Sequence, residues 1–184
     1  MTSAPSLLHV DLSFSVRFFA NGTLNLGVVP NYAKYTVQQG VDTIILGGST
    51  GEWPSMTSDE RVATLHAWRT ALDSLPASRF SAKPKILFHA GDVAVERAVA
   101  LAKAAAGVAD EILIVAPCIM KPGTPEMLLE VLAMVSAAAP VTPAWYYHCE
   151  LPFRPRPAAC TLSFLHDYAG GLDNVRCPSP PLLQ

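Results

Sequence analysis

Two textures alternate along the chain: short apolar runs bounded by glycine or proline, and longer stretches in which apolar residues recur every three or four positions. The short runs are Thr43-Ile44-Ile45-Leu46, Lys85-Ile86-Leu87-Phe88-His89, Ile112-Leu113-Ile114-Val115-Ala116 and Ala144-Trp145-Tyr146-Tyr147. They predict strands, and Lys85–His89 and Ile112–Ala116 are of the kind covered on both faces. Leu7 to Phe19 alternates in part, through Val10, Leu12, Phe14 and Val16, and predicts a first strand, which Asn21-Gly22 then turns. Between the runs lie helical patterns. Val28, Val29, Tyr32, Tyr35 and Val37 mark a helix from Leu26 to Gln39, with Pro30 bending or delaying it and Gly40 at its end. Thr57-Ser58-Asp59-Glu60 fits a capping box ahead of the stripe Val62, Leu65, Trp68 and Leu72. Gly91-Asp92 caps an alanine-rich helix from Val93 to Gly107, and Thr124-Pro125-Glu126 opens another that runs to about Ala139.

Strands alternating with helices indicate an α/β protein with a parallel sheet, either doubly wound or a (β/α) barrel. A dinucleotide-binding fingerprint needs G-x-G-x-x-G after its strand, and Gly47-Gly48-Ser49-Thr50-Gly51 does not supply it. Polar residues instead gather at the carboxyl ends of successive strands: Ser49 and Thr50, His89, Lys121, Tyr147 and His148. That is where barrel sites lie, so the barrel is preferred. Beyond His148 the texture changes. Pro152, Pro155 and Pro157 enclose Arg154 and Arg156, only Thr161 to Tyr168 looks briefly helical, and Cys177 to Gln184 carries no element. We therefore expect a partial barrel over residues 1–148 and a disordered tail over 149–184.

Composition narrows the partners. A chain of 184 residues, 51% hydrophobic and 15% charged, can bury one sizeable core. Its formal charge of −2 and scattered cations form no basic stripe, which argues against nucleic acid and membrane surfaces. No basic segment precedes an apolar one at the N-terminus, and the longest apolar stretch, Ala98 to Val108, is interrupted by Lys103. Neither a signal peptide nor a bilayer span is expected. Cys118, Cys149, Cys160 and Cys177 lack the paired spacing of a zinc site and the density of a disulfide scaffold. Reduced thiols in a cytoplasmic protein are expected, with no metal site and no cofactor.

The candidate chemistry centres on Gly47-Gly48-Ser49-Thr50-Gly51-Glu52. Its glycines let backbone approach a ligand, and Ser49 and Thr50 each offer a hydroxyl beside an N–H, which together make a small anion cradle.

These residues, with Thr57-Ser58-Asp59-Glu60-Arg61, Phe88-His89-Ala90-Gly91, Ala116-Pro117, Lys121-Pro122 and Tyr146-Tyr147-His148, resemble the pyruvate-dependent Schiff-base aldolases that include N-acetylneuraminate lyase and dihydrodipicolinate synthase. The match runs from about Asn21 to His148, and its last two pieces resemble the sialic acid lyase branch. The resemblance implies an eight-stranded TIM barrel. In it Ser49 and Thr50 hold the carboxylate of pyruvate, Tyr147 moves the proton during carbon–carbon cleavage, and a lysine on the sixth strand forms the imine. The implied reaction converts sialic acid to N-acetylmannosamine and pyruvate, and complete family members are commonly homotetramers. Tyr146 is expected to pack on the opposite face from Tyr147, His89 and His148 to be structural, and Glu52 to fix the loop or the following helix.

Three departures qualify the resemblance. No lysine follows Lys121, itself a solvated loop residue, and the imine lysine would fall near Ser179, after Gly171 to Arg176 approaches a sixth strand. Cys149-Glu150-Leu151-Pro152-Phe153 and Val16-Arg17-Phe18-Phe19 also depart from the family pattern. The chain thus corresponds to about the first five barrel units of a truncated or divergent member, expected to leave an apolar sheet face open and to pair with itself or another chain. Three alternatives stay open: another pyruvate-dependent aldolase such as dihydrodipicolinate synthase, a non-catalytic chain that binds keto acids or a longer paralogue, and an incomplete reading frame.

Overall fold

The computed structural model describes residues 11–13, 18–76, 83–117, 119, 122–147 and 175–176. The chain divides into two compact units, Met1–Ile86 and Leu87–Gln184. Lys121, His148 and the stretch Thr161 to Tyr168 lie outside the described residues.

In the first unit, β1 (Asp11–Ser13) pairs in parallel with β2 (Thr43–Leu46), setting Leu12 against Ile44. The expected first strand does not reach Phe19. Phe18 instead bridges Leu24 in antiparallel sense, across a turn closed by Gly22 N to Phe19 O at 2.9 Å. The Asn21 side chain accepts from Thr23 N at 3.1 Å and from its hydroxyl at 2.7 Å, so the turn supplies its own hydrogen bonds. The next helix is indeed delayed. A 3-10 turn covers Leu26–Val28, and α1 (Val29–Gln38) follows with Pro30 in its first turn, where no N–H is needed. Its buried line is Val29, Ala33 and Thr36, whereas Tyr35 is 54% exposed. Gly40, with φ +68°, ends α1 in a Schellman motif, with Val41 N to Thr36 O and Gly40 N to Val37 O at 3.2 and 3.3 Å.

Helix α2 (Ser58–Ser74) starts with the expected box: Glu60 N donates to the Thr57 hydroxyl at 3.2 Å, and Thr57 N donates to the Glu60 carboxylate at 2.8 Å. Leu65, Trp68 and Leu72 are buried on its inner face, and α2 packs on α1.

Strand β3 (Lys85–His89) leads into the second unit. There β3, β4 (Glu111–Val115), β5 (Ala144–Tyr147) and β6 (Val175–Arg176) are successive parallel neighbours. Chain order and spatial order agree throughout these four. A doubly wound sheet reverses its order at a switch point, so this unit has the single winding of a β/α barrel segment. Val175 and Arg176 occupy the place of a sixth strand. Helices α3 (Val95–Ala105) and α4 (Pro125–Ala137) pack on one another.

Helix α3 begins two residues later than expected, at an N-cap of Ala94. Asp92 acts from further back, accepting from Ala94 N at 3.4 Å and from Arg97 Nε at 2.8 Å. Burial divides the sheet of this unit. Phe88, Ile112, Ile114, Ala144 and Tyr146 share the covered face, each no more than 2% exposed. On the other face Leu87, Leu113, Val115 and Trp145 are half-buried and Tyr147 is open. His89, opposite Leu113 on this second face, is buried too, so the expected cover on both faces is complete there and partial at Leu87, Leu113, Val115 and Trp145.

Candidate functional site

Strand β2 ends at Leu46, and its buried residues Ile44 and Leu46 anchor the glycine loop that leaves it. Gly47 turns the chain with φ +76°, a conformation that opposes any Cβ. Gly47 and Gly51 are buried, while Ser49 and Thr50 between them stand exposed at the carboxyl end of the strand. Two backbone bonds shape this loop: Glu52 N to Ser49 O at 3.0 Å, and Trp53 N to Gly48 O at 3.5 Å. Glu52 takes a left-handed backbone, φ 55° and ψ 32°, before the 3-10 turn Trp53–Ser55. Its side chain is exposed and makes no capping bond to that turn. The loop thus carries two adjacent exposed hydroxyl residues and no cationic side chain of its own, and hydroxyls can donate to a small anion.

Sequence patterning overlooked one residue beside this loop. Arg61, in the first turn of α2, is 1% exposed, and its guanidinium lies 5.3 Å from the centroid of the Trp53 ring. A desolvated cation over an indole face contributes about 2 kcal/mol. The signal was present: Arg61, Leu65, Trp68 and Leu72 follow one another at helical spacing, so Arg61 belongs to the inner stripe.

The second unit carries the other candidates. Tyr147 is the last residue of β5 and 56% exposed, and its neighbour Tyr146 points to the covered face at 2%. Tyr147 is thereby exposed, while Tyr146 packs. His89 ends β3 and is buried at 2%. Beyond it Gly91 passes tightly against β4: a Cβ there would lie 3.0 Å from Val115 N and 3.1 Å from Val115 O. Ser49 and Thr50 therefore share one loop of the first unit, and Tyr147 stands on a strand end of the second. Among the described residues no group of three or more His, Cys, Asp or Glu is placed to hold a metal ion, and no helix is long and apolar enough to cross a membrane.

Residues 10–143 match the pattern of the Dihydrodipicolinate synthetase family. The chain belongs to that family. Among curated members it is 36% identical over 131 residues to N-acetylneuraminate lyase of Homo sapiens, covering 70% of this chain and 38% of that one. It is 35% identical over 133 residues to 4-hydroxy-tetrahydrodipicolinate synthase of a Synechococcus species, covering 71% and 41%. The fold is that of a solved family member, the N-acetylneuraminate lyase of Proteus mirabilis, with a TM-score of 0.80 at 22% identity over 94% of this chain and 56% of the other. The chain thus spans about two fifths of the length of these curated relatives.

Proposed function

We propose that this chain carries the keto-acid-binding part of an N-acetylneuraminate lyase-type site. Ser49 and Thr50 donate hydroxyl and backbone hydrogens to the carboxylate of pyruvate, and Tyr147 relays the proton as sialic acid is cleaved to N-acetylmannosamine and pyruvate. The observation that carries the reading is the exposed Ser49–Thr50 pair on a glycine loop at the carboxyl end of β2. The identity to the human lyase supports it. Cleavage also needs an amine to form the imine that accepts the electron pair, and residues 122–184 contain no lysine. In this chain by itself, the proposed activity is pyruvate binding without turnover. A cytoplasmic homo-oligomer completes the reading.

Incubation of the purified chain with pyruvate and borohydride, followed by intact-mass spectrometry, tests it. We expect saturable pyruvate binding, weakened in Ser49→Ala and Thr50→Val, and no mass increase on reduction. A trapped adduct would falsify the non-catalytic half of the proposal and direct mapping first to Lys121. The identity to the cyanobacterial synthase favours a second reading, in which the site belongs to the synthase branch. Competition of sialic acid or of aspartate semialdehyde with pyruvate for the purified chain would separate the two.

A further inference from the structure

We infer that Arg61 is a positioning residue for the Ser49–Thr50 loop, acting through the ring of Trp53; this rests on the keto-acid reading of that loop. Arg61 is 1% exposed, and a charge so deeply buried depends on the groups it touches. Its guanidinium lies over Trp53, 5.3 Å from the ring centroid. A planar guanidinium held over an indole face restrains that ring more than a compact, strongly hydrated ammonium does.

Trp53 is in turn the residue that closes the loop. Its N–H points to Gly48 O at 3.5 Å, and the preceding Glu52 N–H donates to Ser49 O at 3.0 Å. Gly48, which precedes the hydroxyl pair, and Ser49 within it are therefore tied to the segment Glu52–Trp53. Immediately before the turn that Trp53 begins stands the left-handed Glu52, a backbone state that persists only where its surroundings hold it.

The support beneath is rigid. Arg61 N donates to Thr57 O at 3.1 Å inside a helix start locked by the Thr57–Glu60 box. The contacts run from that cap to Arg61, to the indole, to the Gly48 carbonyl and so to Ser49 and Thr50. Arg61 touches no ligand along this route. It sets the spacing of groups that do.

Two readouts on the full chain decide the matter: pyruvate affinity relative to pyruvamide, measured below the unfolding temperature, and the amide resonances of Ser49 and Thr50 without ligand. We expect Arg61→Met to shift both resonances and to weaken pyruvate binding about tenfold, since small misplacements of binding groups act on this scale. The preference over pyruvamide should fall with it. Arg61→Lys, which keeps the charge and loses the planar guanidinium, should behave alike, and Trp53→Phe should shift the resonances less. Adding Trp53→Phe to Arg61→Met should then add little, as expected of coupled neighbours. A variant that melts earlier while both resonances and the affinity stay at their wild-type values would overturn the inference and leave Arg61 a core residue. If Arg61→Met does not fold, Trp53→Phe decides: unmoved resonances there reject the inference. If the unsubstituted chain does not bind pyruvate, the keto-acid reading falls, and the resonances still report whether Arg61 positions the loop.

Discussion

The indole N–H of Trp145 donates to a carboxylate oxygen of Glu111 at 2.7 Å, joining β5 to the start of β4. In the parallel register Trp145 lies opposite Leu113, so Glu111 is two residues back on the same face. A slip of one residue would turn Trp145 onto the covered face, where Tyr146 sits. The bond therefore marks the register. Trp145→Phe removes the donor and leaves a half-buried carboxylate to rehydrate; we expect a loss of about 1 kcal/mol in urea unfolding. In a double-mutant cycle with Glu111→Met, which removes the acceptor, a coupling near zero would show that the bond contributes nothing.

Gly91 has no room for a side chain. A methyl group would meet His89 Nε2 at 2.9 Å and the Val115 backbone at 3.0 and 3.1 Å, and backbone cannot step aside as a flexible side chain can. Gly91→Ala should lower stability by about 1–3 kcal/mol through overpacking. The urea midpoint is the check, and an unchanged midpoint would mean that the segment after β3 withdraws freely.

Glu52 holds φ at 55°, where a Cβ is disfavoured by about 1–2 kcal/mol. Glu52→Gly relieves that strain while loosening the unfolded chain, so its stability should equal or exceed that of the parent. Glu52→Val, β-branched at the same φ, should be the less stable by about 2 kcal/mol or more. Equal melting temperatures for the two variants would mean that the loop stores no backbone strain at this position.

Glu126, second residue of α4, accepts from its own backbone N–H and then from the Thr124 hydroxyl, and these hold its carboxyl below its ordinary value of 4.5. The folded chain favours the charged form. Its stabilisation is therefore present above 4.5 and is lost as the pH falls through the lower folded value. The group is fully exposed, so the effect is small. Glu126→Gln should unfold at lower urea than the parent at neutral pH, with the gap closing in acid. A gap that widens in acid contradicts the assignment.

Most element positions are legible in the amino-acid sequence, because local chemistry sets them. Thr43–Leu46 and Ala144–Tyr147 fall where their apolar runs predict strands. The Thr57 and Thr124 caps sit at the predicted helix starts, since an N-cap needs only its own turn to form. Strand alternation likewise separates Tyr147 from Tyr146. Legibility fails where a distant partner decides. Tyr35 fits the helical spacing yet stays exposed, because α1 turns Ala33 and Thr36 inward instead. Arg61 is charged and falls outside an apolar pattern, although its place on the wheel is internal and an indole waits there.

By itself the sequence determined the alternation of strands with helices, the glycine loop with its two hydroxyls, and the family, all of which are written in local pattern and residue identity. Tertiary structure alone decided the strand order without reversal in the second unit, which of its sheet faces is covered, and the burial of Arg61 under Trp53. The reason is physical: periodicity records that a residue has an inner face, and only packing settles what it faces.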